Sequence, residues 1–224
     1  MISFVETEDG SHTLRNEALD ETYHSIHGAI QESRHVFIDN GFHYFEREFS
    51  DKNITILEVG FGTGLNAFLT CLASEVSKSR VQYWAIEPFP LETKITDAIN
   101  YPKLLASGLN AGTFRSLHAS KWEASHEISA TFSLHKLKNT VQNVQLPVSK
   151  FDIVYYDAFA PGKQPEVWTL EVLKKISEAM SDRGIFLTYS AKGQLKRDLR
   201  ALGFEVETLP GPPGKLQMIR AIKR

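Results

Sequence analysis

Residues 54–69 read ITILEVGFGTGLNAFL, an apolar β-branched run that breaks into three alternating glycines and then into a helical pattern. A short apolar run bounded by a glycine turn fits a buried strand. The glycines permit a tight turn and let the backbone approach a ligand closely. The helix that follows would point its free N–H groups at that ligand. From residue 54 onward, short β-branched runs alternate with helical stretches, the pattern of a mainly parallel sheet with crossover helices. Strands are expected at Ile54–Val59, Gln82–Glu87, Phe151–Asp157, Ile185–Ser190, Phe204–Leu209 and Leu216–Ile222. Helices are expected at Leu65–Ser77, Leu91–Ser107, Pro165–Ser181 and Gly193–Leu202. The turn cluster Gly211-Pro212-Pro213-Gly214 suits a closing hairpin, so the final strand should run antiparallel. The predicted class is α/β, a mainly parallel, doubly wound sheet with an antiparallel last strand.

Two stretches lie outside this alternation. Residues 1–50 are expected to form a helical extension that packs on the core domain, residues 51–224, with a helix over Ala29–Phe49. In residues 111–146, Thr113–His118 and Thr131–Lys138 read as short β-like runs separated by KWEASHEIS, a hairpin-like excursion that ends in the third parallel strand.

Composition narrows the function. A chain of 224 residues with 42% hydrophobic and 23% charged residues has enough apolar side chains for a substantial core. A formal net charge of −2 excludes a generic nucleic-acid coat, so a polynucleotide would need a local patch. The single cysteine, Cys71, allows no internal disulfide and no multi-cysteine metal site. His24, His27 and His35 cluster without a carboxylate or cysteine pattern to complete a site, so no metal is expected. The opening MISFVETEDG lacks a basic region followed by an apolar run, and no run approaches membrane-spanning length. The expectation is a cytoplasmic protein that does not engage a membrane.

Spacing discriminates between ligands. A dinucleotide fingerprint reads G-x-G-x-x-G; here the glycines stand as G-x-G-x-G, at Gly60, Gly62 and Gly64. The shorter form, with Glu58 two residues ahead, resembles the first motif of Rossmann-like methyltransferases that use S-adenosyl-L-methionine, a cofactor without a pyrophosphate. That reading makes Gly60, Phe61, Gly62, Gly64 and Asn66 the cofactor loop. Glu87 then ends the next strand where a carboxylate can fork onto two ribose hydroxyls, and Glu58 would orient the amino-acid end. In FDIVYYDAFAPGKQPEVW (151–168) an apolar strand ends in Asp157, which should stand beside the glycine loop at the carboxyl edge of the sheet. On the residues alone, Glu87 can instead be a solvated strand-end acid and Asp157 a turn cap. A nicotinamide-dependent oxidoreductase is disfavoured by the loop spacing, and a non-catalytic scaffold by the three acids beside it.

Five blocks together resemble the methyltransferase half of the MnmC family: Tyr23 with QESRHVF at 31–37, GFGTGLN at 60–66, EPFPL at 87–91, DAFAPGKQPEVW at 157–168 and TYSAKGQLKRDLRALGF at 188–204. They span the chain from about residue 20 to its end. The resemblance implies N-methylation of 5-aminomethyl-(2-thio)uridine at the tRNA wobble position. In that chemistry Asp157 would aim the amine and accept its proton. Tyr23, Phe89 and Phe159 would wall the base, with Pro161, Ser190, Lys192, Lys196 and Arg197 also on the substrate side. The family's usual acid after the third strand is here something near Asn139-Thr140, the expected adenine contact, and the lysine often found after the strand-two acid is Pro88. With no flavin oxidase half in the chain, the expectation is a stand-alone methyltransferase supplied with aminomethyl-uridine by other enzymes. From Arg183 to Arg224, nine Lys/Arg stand against Asp198, Glu205 and Glu207, an excess of six positive charges suited to tRNA phosphates. The alternative is methylation of another small-molecule or macromolecular amine.

Overall fold

A computed structural model describes residues 1–50, 52–105 and 110–224. The chain opens with β1 (Ile2–Glu6), β2 (His12–Asn16) and β3 (Glu21–Thr22), a three-stranded antiparallel sheet in the order β1-β2-β3. The expectation for residues 1–50 named only a helix, so this sheet is a correction. Its first turn is closed by Asp9, whose Oδ1 accepts the Ser11 N–H at 3.0 Å and the Thr7 hydroxyl at 2.8 Å, while Gly10 takes φ +79°. The expected helix follows in three parts: α1 (Ala29–Ser33), a wider π-helical stretch Arg34–Phe42, and α2 (His43–Phe49). Phe37, Phe42 and Phe45 bury this run against the core.

β4 (Asn53–Val59) leads through the glycine turn into α3 (Leu65–Ser77), and β5 (Arg80–Ile86) follows. A single helix over Leu91–Ser107 is replaced by α4 (Thr93–Thr96) and α5 (Tyr101–Leu105). Pro102 has no N–H to give to the Ala98 carbonyl, so α4 cannot run on into α5. The part of that expectation on residues 106 and 107 lies outside the described residues. Thr113–His118 is likewise corrected, because it belongs to the helix α6 (Asn110–Ala119). Phe114, Leu117 and His118 fall three and four apart on one face, and Phe114 meets Phe68 of α3 with ring centroids 5.2 Å apart.

β6 (Ser125–Glu127) pairs antiparallel with β7 (Phe132–Leu137), which itself lies parallel to β5. After β8 (Phe151–Tyr156), the helix expected over Pro165–Ser181 is shorter. Pro165–Val167 makes one 3-10 turn, Thr169 then caps α7 (Leu170–Ala179), and Met180 already begins β9 (Met180–Thr188). α8 (Gly193–Ala201), β10 (Phe204–Pro210) and β11 (Gln217–Lys223) complete the chain.

The main sheet has eight strands in the order β10-β11-β9-β8-β4-β5-β7-β6. Strands β9, β8, β4, β5 and β7 run parallel, and β11 is antiparallel to both of its neighbours, as the hairpin expectation required. Alternation divides the strands between two faces. Ile56, Ile153 and Tyr155 pack towards the 29–49 helical run, α3 and α6; Leu57, Val154 and Tyr156 pack towards α7 and α8. The chain winds one way from β4 to β5 and the other way to β8. The switch point therefore falls at the carboxyl ends of β4 and β8, where open sheets of this kind hold ligands.

Candidate functional site

A crevice of about 1090 Å³ opens at that switch point. Its floor is knitted by backbone bonds between strand ends. Gly60 N–H donates to Ile86 O at 3.0 Å, Asp157 N–H to Val59 O at 3.0 Å, and Glu87 N–H to Leu137 O at 3.0 Å. Only glycine can occupy position 60: φ is +94°, and a Cβ would lie 2.6 Å from the Asp157 carbonyl oxygen. Gly62 and Gly64 also take positive φ, with Tyr23 and His118 respectively crowding where a Cβ would go.

Two acidic sites face each other across this loop. Glu87 Oε2 accepts the Gly62 N–H at 3.0 Å and Oε1 accepts the Phe89 N–H at 2.8 Å. Each carboxylate oxygen has a second lone pair free for a hydroxyl. Desolvation raises the Glu87 pKa, partly opposed by those two backbone N–H groups. On the other side, the Asn66 amide bridges two acids, its Nδ2 donating to Glu58 Oε1 at 2.9 Å and to Asp157 Oδ2 at 2.8 Å. Glu58 is 1% exposed, and burial raises its pKa well above the usual carboxylate range. Asp157 is pushed up to about 7, by burial first and then by the charge of Glu32, with the Asn66 hydrogen bond and Lys215 opposing. Asp157 thus stands near the middle of its titration at pH 7. Such a carboxyl can exchange a proton near neutral pH.

Of the residues singled out from sequence, Tyr23, Gly60, Phe61, Gly62, Asn66, Glu87, Phe89, Thr140, Asp157 and Phe159 line the crevice. Tyr23 meets Phe159 edge to face, centroids 5.1 Å apart, and Phe89 is 77% exposed at the rim. The Phe159 loop is pinned by Trp168 Nε1, which donates to Phe159 O at 2.8 Å, and by the Tyr189 hydroxyl, which donates to Ala158 O at 2.8 Å. Glu58 and Gly64 stand behind the wall. Asn139 is exposed and turned to its own loop, its Oδ1 accepting the Thr140 N–H at 2.8 Å. Ser190 is buried, with its N–H spent on Thr188 Oγ1 at 3.2 Å. Pro161, Lys192, Lys196 and Arg197 lie outside the crevice lining.

The C-terminal charges are not equally available. Lys223 Nζ is spent on the Ser177 and Met180 carbonyls, and Arg220 on Glu207 and the Asn40 carbonyl, its guanidinium 3.5 Å from the Tyr44 ring centre. The exposed cations of α8 are Arg197 and Arg200, with Lys192 at its N-cap.

Residues that motif reading did not place here also line the crevice. They include Glu32, Gln142, Tyr189, Lys215 and much of the β2–β3 hairpin. Glu32 and Tyr189 were inside blocks already quoted, and spacing gave no reason to choose them. Among the described residues no group of His, Cys, Asp and Glu is gathered to hold a metal ion, and no helix is long and apolar enough to cross a membrane.

Residues 111–224 match a family model described as S-adenosyl-L-methionine-dependent methyltransferase. The tRNA 5-methylaminomethyl-2-thiouridine biosynthesis bifunctional protein MnmC of Burkholderia mallei is 29% identical over 97% of this chain and 34% of its own length. The protein of that name from Leptospira borgpetersenii is 29% identical over 91% of the chain and 32% of its length. The chain therefore spans about a third of these relatives. The crystal structure of MNMC2 from Aquifex aeolicus superposes with a TM-score of 0.76 at 28% identity, over 99% of this chain and 69% of that one.

Proposed function

The chain belongs to the S-adenosyl-L-methionine-dependent methyltransferase family, and from that premise we propose that it N-methylates 5-aminomethyl-(2-thio)uridine at the wobble position of tRNA. The observation that carries this reading is Asp157. It is a carboxyl poised near neutrality, held by Asn66 at the carboxyl edge of β8, with the aromatic rings of Tyr23 and Phe159 beside it in the crevice. The MnmC relatives, named for tRNA 5-methylaminomethyl-2-thiouridine biosynthesis, support the choice of substrate.

The crevice suits the cofactor on its own evidence. The glycine turn opens onto it, with Gly60, Phe61 and Gly62 in its lining. Among the described residues, two buried acceptors of the crevice lining have no hydrogen-bond partner, Asn66 Oδ1 and Gln142 Oε1. We assign Glu58 and Asn66 to the amino-acid end, Glu87 to the ribose hydroxyls, and Gln142 with Thr140 to the adenine, in place of Asn139. Lys175 holds that last loop, its Nζ donating to Val141 O at 3.1 Å and Gln142 O at 2.8 Å.

When bound, the sulfonium supplies an already activated methyl group. The chain must then align the acceptor amine and take its proton. Alignment alone supplies roughly 7–11 kcal/mol in favourable cases. An alkylammonium has a reference pKa of about 10.4 and carries no lone pair for attack. Asp157, once ionised, removes one proton from it. Asp157 leaves that nitrogen with a free lone pair, in position for the methyl group that the bound cofactor would supply. Tyr23 and Phe159 exclude water around the nitrogen, and Phe89 offers an exposed ring for a base to stack on. A tRNA substrate fits the cytoplasm as the place of work.

The test is the nucleoside profile of tRNA from a strain lacking this gene. Accumulated 5-aminomethyl-uridine with loss of its N-methylated product is expected, and an unchanged profile would remove the assignment.

A further inference from the structure

We propose that Glu32 and Tyr189 form the recognition site for the substrate's ammonium group, and that in the free protein the side chain of Lys215 occupies that site. The inference deepens the proposed function and rests on it.

The site is built from three separate segments. Glu32 comes from α1 and its side chain is 7% exposed. Its Oε2 accepts the Ser25 N–H at 2.7 Å, and its Oε1 pairs with Lys215 Nζ. Tyr189 follows β9, and Lys215 Nζ sits 4.0 Å from its ring centre. The Tyr189 hydroxyl is tied to Ala158 O, beside Asp157. All of these side chains line the same crevice as Asp157. Glu32 and Lys215 are also the two charges that act on the Asp157 carboxyl, in opposite directions.

A buried carboxylate and an aromatic face together recognise a primary ammonium. Lysine's side chain is a primary alkylammonium on a flexible stem, and the aminomethyl group of the proposed substrate is the same chemistry on a shorter one. An isolated buried carboxylate is costly, so Glu32 needs a cation whether or not RNA is bound. Lys215 meets that need in the free protein. It stands on the β10–β11 turn with its side chain 32% exposed, so it can swing out without moving the sheet. An arriving ammonium replaces it ion for ion beside Asp157. A neutral group at the same carbon cannot, because it would leave Glu32 unpaired.

Two anticodon stem-loop RNAs test this, one carrying 5-aminomethyluridine and one carrying 5-hydroxymethyluridine at the wobble position. The wild-type protein is expected to bind the first at least about tenfold more tightly, as a buried charge partner requires. K215M removes the competitor, so KM for the aminomethyl RNA should fall about fivefold, whereas E32Q should raise it about tenfold or more. Because a lone buried Glu32 can weaken K215M, the double variant E32Q/K215M removes both charges at similar volume. Its preference between the two RNAs should shrink to about twofold or less. A KM that rises or stays constant in K215M, or a double variant that keeps the full preference, overturns the proposal. If the wild-type protein methylates no aminomethyl RNA at all, the functional reading itself has failed. If it does methylate and the variants disagree, only the ammonium site has failed.

Discussion

Asp157 is where electrostatics and chemistry meet. A proton acceptor works best when its pKa lies near the working pH, and burial together with Glu32 lifts this carboxyl to about 7. In Asp157→Asn the amide oxygen can still accept from Asn66, but no proton acceptor remains. We expect kcat to fall roughly 100- to 1000-fold while adenosylhomocysteine still binds. Near-normal turnover would remove Asp157 from the mechanism. The same residue should cost stability. Its folded pKa lies above the unfolded value of 3.8, so as pH rises the unfolded chain ionises first. The folded state therefore loses stability between about pH 4 and pH 7, and the loss stays in full above that range. Asp157→Asn should then be about 2 kcal/mol more stable than wild type at pH 8. The gain should vanish by about pH 4. Urea denaturation at the two pH values measures the difference, and equal effects at both would contradict the assigned shift.

The β4–turn–α3 unit shows what a glycine contributes at the scale of an element. At Gly60 both the positive φ and the 2.6 Å approach to Asp157 O forbid a side chain. Gly60→Ala should cost at least about 2 kcal/mol and abolish cofactor binding, read by thermal melting and calorimetric titration. Gly112, on α6 with open space around it and no positive φ, is the control. Gly112→Ala should leave stability unchanged or raise it by up to about 1 kcal/mol. This unit was legible in the sequence because its signals are local, and Leu65–Ser77 forms at the expected bounds. Thr113–His118 misled because Thr113 and Phe114 favour strands, whereas burial of Phe114 and Leu117 on α3 decides for a helix. The β1–β3 sheet left no clear pattern. Its strands are short, and contacts far along the chain support it, such as the His12 N–H bond to Asn100 Oδ1 at 2.8 Å. Glu87 and Asp157 in the crevice, and Glu58 behind its wall, could be picked out from their places at strand ends. Glu32, Gln142, Tyr189 and Lys215 could not, because only the tertiary fold brings α1, the β7–β8 loop, the end of β9 and the β10–β11 turn to one wall.

At the scale of the whole molecule, two separate surfaces bear on the proposed substrate. The crevice holds Asp157, Asn66 and Glu87, while Lys192, Arg197 and Arg200 display positive charge along α8, outside it. A macromolecular acceptor can engage both, with phosphates on the basic helix and one base turned into the crevice past Phe89 and Tyr23. The most direct measurement incubates the purified protein with S-adenosyl-L-methionine and tRNA bearing 5-aminomethyl-2-thiouridine, then digests the RNA and weighs its nucleosides. The account predicts a wobble nucleoside heavier by one methyl group, formed on the exocyclic amine and only when both reactants are present. A protein that binds the cofactor yet leaves that nucleoside unchanged would contradict it.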